Sequence, residues 1–181
     1  MIMTVSEFRQ YVQTDETDDA LEMRLKAVEL FIRGYTNNSF QVRGTGRVAD
    51  VIAGMFMLEG LNPYEVGDTI QASGSAKNDG LYTVRESNDD SFIVNEKTRD
   101  EAGVFVTLVE YPDDVKMGVL ELLKYDMASR EKANVQSESI SRHSVTYQTM
   151  DANNSSGGYP LHLLGFVKRH MRARFGQGLS R

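Results

Sequence analysis

Residues 66–84 read VGDTIQASGSAKNDGLYTV, and this stretch decides the fold. Two short runs alternate apolar and polar residues: Thr69-Ile70-Gln71-Ala72 and Leu81-Tyr82-Thr83-Val84. Each follows a turn cluster, Val66-Gly67-Asp68 and Asn78-Asp79-Gly80. A period of two puts every second side chain on one face of a strand, and Asp-Gly is a strong tight-turn signal. Further along, Ser91-Phe92-Ile93-Val94 and the run from Val104 to Val109 continue the series. A weaker pair lies before it, near residues 47–51 and 53–58. Roughly five or six short strands with turns between them predict a small antiparallel β-barrel or sandwich over residues 40–111.

On both sides of this segment the period changes to that of a helix. Thr4 and Glu7 make a T-x-x-E capping box, and Val5, Phe8 and Val12 can share one face of a short helix. Asp15 and Thr17 open a longer one. Leu21, Leu25, Val28, Ile32 and Tyr35 recur at spacings of four, three, four and three, an apolar stripe about 20 Å long at 1.5 Å per residue. Gly34 weakens its last turn and Thr36-Asn37-Asn38 ends it. Beyond the β segment, Pro112 suits a first helical position and Asp113 and Asp114 suit the first turn. Val115, Val119, Leu122, Leu123 and Met127 form a third helical face, widened by Met117, Leu120 and Tyr125. The class is therefore α+β. About four helices form a bundle from residues 1–39 and 112–181, and the β domain of residues 40–111 is inserted with its two ends close together.

After the third helix comes a polar extension, SESISRHSVTYQTMDANNSSGG. Its few alternating apolar residues cannot build a core, so it gains order by packing on something else. Residues 136–158 read as a long assembly arm. Tyr159-Pro160 then opens a short basic helix through residue 175, LHLLGFVKRHMRARF, with Leu161, Leu164, Phe166, Val167 and Met171 as its apolar face.

Composition narrows the function. The chain has 181 residues, 40% hydrophobic and 25% charged, an ordinary globular balance. It has no cysteine, which excludes disulfides, thiolate metal sites and a cysteine nucleophile. No apolar run reaches the roughly 18 residues of a membrane span, and MIMTVSEF lacks the basic and apolar regions of a secretory signal. The net charge of −6 argues against nucleic-acid binding by the whole surface. Charge is nevertheless polarised. Residues 15–22 hold five acids and no base, whereas residues 152–181 hold five bases and no acid. Opposite ends of opposite sign permit head-to-tail contact between copies; two solvated helix faces are the simpler explanation.

The segments resemble, in their order, the head-tail connector (adaptor, or head-completion) proteins of long-tailed bacteriophages and prophages. The resemblance rests on the Thr-x-x-Glu helix, DDALEMRLKAVELFIRGYTNNSF, PDDVKMGVLELLKYD, the Ser-Glu-Ser-Ile-Ser stretch with Ser144-Val145-Thr146-Tyr147, and the Gly158-Tyr159-Pro160 lead into the basic helix. These cover about 110 residues. The β segment is a departure, because shorter members pass almost directly from the second helix to the third. VGDTIQASGSAKNDGLYTV is itself similar to small β modules of other phage structural proteins. The resemblance implies a homo-oligomeric ring in the virion, typically a dodecamer, whose subunits can be monomeric before assembly in the bacterial host cytoplasm. The ring sits on the portal protein, extends the DNA channel and receives the next connector or tail-completion protein, with no membrane partner. DNA passes through without sequence-specific binding. Interface roles fall on Ile140, Arg142, Val145, Tyr147 and Tyr159, and on Lys168, Arg169, Arg172, Arg174 and Phe175.

Other chemistry is weighed against simpler explanations. Ser141, His143, Ser144 and Asp151 include the residue types of a hydrolase triad, but in an arm without a packed scaffold they make no catalytic site. Gly44-Thr45-Gly46-Arg47-Val48-Ala49 matches a dinucleotide fingerprint, yet the residues after it read as β, so a glycine-rich loop is expected. The acids Asp15, Glu16, Asp18, Asp19 and Glu22 lack the spacing of a calcium loop, and His162 and His170 are too far apart for a two-histidine metal pair. No cofactor, metal or catalytic residue is expected. For the basic helix, docking on an acidic portal surface ranks first, dipole complementation second and DNA phosphate contact third, since a channel that lets DNA slide is poorly served by strong phosphate binders. A nucleic-acid-binding module is thus the main alternative. A ligand-binding barrel lined by Ile70, Tyr82, Phe92 and Phe105 is a third reading, with a filled core expected there instead.

Overall fold

The computed structural model describes residues 1–130, 137–140, 143–146 and 155–173. They form three α-helices, one 3-10 helix and a closed six-stranded antiparallel barrel. The chain divides into two compact units: Met1–Ile2 with Ser39–Tyr111, and Met3–Asn38 with Pro112–Arg181. No helix among the described residues is long and apolar enough to cross a membrane.

The barrel comprises β1 (Arg47–Ile52), β2 (Met55–Leu58), β3 (Thr69–Ser73), β4 (Gly80–Ser87), β5 (Ser91–Val94) and β6 (Glu101–Val109), in the spatial order β1-β2-β5-β4-β3-β6. Alternation dictates the inside. Ala49 and Val51, Phe56 and Leu58, Ile70 and Ala72, Tyr82 and Val84, Phe92 and Val94, and Val104 and Val106 all belong to one buried cluster. Aromatic rings fill the space between strands. Phe56 stacks on Phe92 (centroids 4.8 Å apart, 7° between planes). Tyr64 meets Phe92 edge-on at 5.3 Å, and Tyr82 meets Phe56 at 5.8 Å. The Tyr64 hydroxyl lies 2.8 Å from the Thr45 carbonyl and 3.0 Å from that of Val106. Burial raises its pKa to about 12, so it stays a protonated donor at neutral pH. Ile70, Tyr82 and Phe92 are thus core residues. Phe105 is not: it is 43% exposed on the outer face, against Gly46, where a Cβ would crowd the ring. Gly44-Thr45-Gly46 runs directly into strand β1, without the helix that a dinucleotide fingerprint needs.

Two turns differ from expectation. The tight hairpin is Ala53-Gly54, with φ of 50° and 87°, joining Ile52 to its partner Met55 as a type I′ turn requires. Asp79-Gly80 makes no such turn: Gly80 is already in β4, opposite Ala72. The longer connection, residues 74–79, is organised by one carboxylate. Glu101 accepts from Ser75 Oγ (2.6 Å), Ala76 N (2.7 Å), Lys77 N (3.0 Å) and Asn78 Nδ2 (3.0 Å). These bonds, led by that from Ser75, hold its pKa below the usual value. The ends of the unit are paired to each other. Gln41 bridges Val109, Glu110 N donates to Phe40 O (3.0 Å), and the rings of Phe40 and Tyr111 lie 4.9 Å apart.

In the other unit, α1 (Val5–Tyr11) starts at the Thr4–Glu7 capping box and buries Phe8. Helix α2 (Asp18–Thr36) has Thr17 as N-cap and buries Leu21, Leu25, Val28 and Ile32, together with Glu29 and Thr36. Asp15 lies outside it, and Tyr35 is only partly buried. In α3 (Asp113–Arg130), Val115, Val119, Leu120, Leu122 and Leu123 are buried, whereas Met117 is exposed. Pro112 sits one residue before the position expected; its carbonyl accepts from Val115 N and Lys116 N. Arg24 ties α2 to its neighbours, reaching both oxygens of Glu16 at 2.7 Å and the carboxylate of Asp126. Of the five acids weighed as a cation site, three are in such pairs: Glu16 with Arg24, Asp18 with Arg9 and Glu22 with Lys26.

Within the stretch expected to be an extended arm, β7 (Ser137–Ile140) and β8 (His143–Thr146) pair with each other, Ile140 opposite His143. Likewise β9 (Ser155–Ser156) pairs with β10 (Tyr159–Pro160). The described strands are therefore hairpins closed within the chain.

Candidate protein-docking site at the carboxy-terminal segment

The basic segment is a 3-10 helix over Leu161–His170, not a helix running to residue 175. Its period of three puts Leu161, Leu164, Val167 and His170 along one line. Leu164 and Val167 are fully buried. Leu161 and Met171, expected on the same apolar face, are exposed. Met171 is the C-cap in extended conformation, so Arg172 lies beyond the helix and cannot complement its dipole.

Two clamps hold this segment within its unit. The first is the end of α2, where a helix leaves its last carbonyls without partners. Asn37 takes the left-handed conformation (φ 51°) that closes such an end. The orphan carbonyl of Thr36 then accepts from Arg172 N (2.8 Å). The side chain of Asn37 donates to Ala173 O (3.1 Å), and that of Asn38 to His170 O (3.0 Å). Three consecutive residues of a helix end thus pin residues 170, 172 and 173.

The second clamp is the start of α3. Asp114 accepts from Arg169 Nε (2.8 Å) and from His170 Nε2 (2.8 Å). One turn on, Gly118 is buried, and a Cβ there would overlap the ring of Phe166. Only glycine leaves room for that ring against the α3 backbone. Desolvation pushes the Asp114 carboxyl up, but the hydrogen bonds and charges of His170 and Arg169 outweigh it and hold the pKa below the ordinary value. A depressed carboxylate stabilises the folded state above its unfolded pKa, and this contribution is lost as pH falls through the folded pKa. The clamp should therefore hold near neutrality and loosen only in acid, below the ordinary aspartate range. Hydrogen exchange at the Arg172 amide checks this: protection should fall on acidification in the native chain and depend less on pH in Asp114→Asn.

The expected interface residues separate into groups. Lys168 and Arg172 are exposed, and their side chains make no ion pair among the described residues. Arg169 pairs with Asp114 within the chain while its side chain stays largely exposed. Tyr159 packs on Phe31 of α2, ring centroids 5.5 Å apart, under the Gly157-Gly158 turn (φ 60° and 84°). Its ring is a clasp within the chain. Ile140 lies in β7 and Val145 in β8. Arg142, Tyr147, Arg174 and Phe175 lie outside the described residues, as do Ser141 and Asp151. His162 is exposed, and His170 belongs to the Asp114 clamp. Among the described residues no group of three or more acidic or histidine side chains could hold a metal ion. Sequence reasoning missed Asn37, Asn38, Asp114 and Gly118 as determinants of this site. No family model matches the chain, and no curated protein matches it.

Proposed function

We propose that the chain is a structural subunit of a phage head-tail connector ring that attaches to a portal, extends the DNA channel and offers a platform for the next component. The helices as a bundle forming the ring wall, and residues 136–158 as a bridging arm, belong to this proposal. One observation carries it. The basic segment is clamped at both sides by its own unit, yet it turns Lys168, Met171 and Arg172 outward. A segment fixed in this way is preorganised, so little conformational freedom is lost when an acidic surface docks. The pairing of Arg169 with Asp114 lowers the net positive charge that this segment offers to phosphate.

Light scattering of the chain mixed with the portal protein of the same genome tests the reading. A stoichiometric ring on the portal supports it, and deletion of residues 136–156 should then abolish the association while the chain stays folded. No association, together with salt-steep binding to duplex DNA in a gel shift, overturns it in favour of a nucleic-acid-binding module.

A further inference from the structure

Residues 155–173 form one module, the β9–β10 hairpin and the 3-10 helix that follows it directly. The contacts that hold it fall on α2, the end of α2 and the start of α3. Phe31 meets the ring of Tyr159, and a Cβ at Gly157 would strike the Phe31 ring. Thr36, Asn37 and Asn38 hold Arg172, Ala173 and His170. Asp114 holds Arg169 and His170, and Gly118 leaves room for Phe166. The seat is thus built from elements that precede the module in the chain.

Two features make this attachment transferable. It is shallow: of the described residues of the module, Leu164 and Val167 are the buried ones, and hydrogen bonds and one largely exposed ion pair supply the rest. A segment with few buried apolar contacts opens before its unit as a whole. Nor does covalent connection choose the seat. Residues 131–154 lie between α3 and β9. With the β7–β8 hairpin set aside, the remainder of this join has a contour of roughly 45 Å, against a small-domain diameter of about 30 Å.

We propose that the seat on α2 and α3 takes residues 155–173 of a second copy of the chain, in reciprocal exchange. The fit of the occupant is already visible, because each contact made within one chain is made unchanged between two. The exchanged pair loses no bond and needs no new complementary surface. What favours the chain's own module is its effective concentration, about millimolar for a short linker. Exchange therefore prevails where copies are crowded or held side by side. An exchanged module still turns Lys168, Met171 and Arg172 outward. The exchange is a property of the isolated chain and does not rest on the connector reading; its failure leaves portal binding untouched.

Complementary damage tests the exchange. Asp114→Asn with Gly118→Val spoils the seat and leaves the module whole, whereas Val167→Asp spoils the module and leaves the seat whole. Each variant alone should scatter light as a monomer of 20.3 kDa. Mixed, they should form a 1:1 complex of twice that mass, the module of the first filling the seat of the second. Adding Asp114→Asn and Gly118→Val to the Val167→Asp chain removes its seat and should abolish the complex. The proposal is overturned if the mixed variants stay monomeric while each keeps its helical circular dichroism, or if the seat variant associates with itself as readily as with its partner. Should either variant fail to fold, the native chain decides: it should form dimers near millimolar concentration, and a monomer there overturns the exchange.

Discussion

Gly118→Val should cost about 2 kcal/mol and release the carboxy-terminal segment. In isolation the change favours α3, because glycine is among the weakest helix formers, by up to about 1 kcal/mol against alanine. Here it is outweighed. A Cβ at this position overlaps Cγ, Cδ1 and Cδ2 of Phe166, so the ring must leave its seat on the helix. Overpacking of this kind costs about 1–3 kcal/mol, to which the lost burial of Phe166 is added. Thermal melting reads the stability, and tryptic cleavage after Lys168 and Arg169 reads the segment. Both should change in Gly118→Val, while the double variant with Phe166→Ala should lose less than the sum of the two single changes. Unchanged melting and cleavage in Gly118→Val would show that the ring does not sit there.

Phe92→Ala is expected to cost about 3–5 kcal/mol, as for other large-to-small aromatic replacements. Its ring is fully buried and touches both Phe56 and Tyr64, so its removal leaves a cavity that closed strands cannot collapse. Against a typical stability of about 5–15 kcal/mol, this leaves the barrel marginal. The chain has no tryptophan, and Tyr64 and Tyr82 lie in the affected core. Tyrosine fluorescence through a denaturant titration follows unfolding, with Tyr64 and Tyr82, two of the chain's eight tyrosines, carrying the barrel's share of the change. A loss below about 1 kcal/mol would contradict the packing described.

The periodic parts of the fold were legible. Leu21, Leu25, Val28 and Ile32 keep a helical rhythm that only one buried face explains, and they are buried. The barrel strands fall where apolar alternation places them, because a period of two is imposed by the pleat itself. Phe105 was misplaced for a related reason: from Val104 to Val109 both phases are apolar, so alternation cannot decide which side faces inward. Asp79-Gly80 misled because Glu101, more than twenty residues away, supplies the hydrogen bonds that shape the connection. The segment Leu161–His170 was read with the wrong pitch. Leu164 and Val167 are three apart, a spacing that fits both 3.0 and 3.6 residues per turn. The clamps were invisible because they join residues 55 and 132 positions apart. Gly118 looked like a neutral gap in a helical face; its meaning lies in a ring that arrives from elsewhere in the chain.

The paired ends of the barrel unit bear on how the chain can be edited. Phe40 and Glu110 are joined across one antiparallel pair, where backbones lie only about 5 Å apart. Seen from the helices, a long excursion leaves and returns at nearly one point. The entropy of closing so large a loop is met inside the barrel by its own pairing, and for loops of any length it grows only logarithmically. A few flexible residues could span the same gap. The barrel is therefore a cassette: excised at residues 40 and 110 and replaced by a short glycine-rich link, it leaves a shortened chain in which any role of the insert can be scored separately from that of the helices.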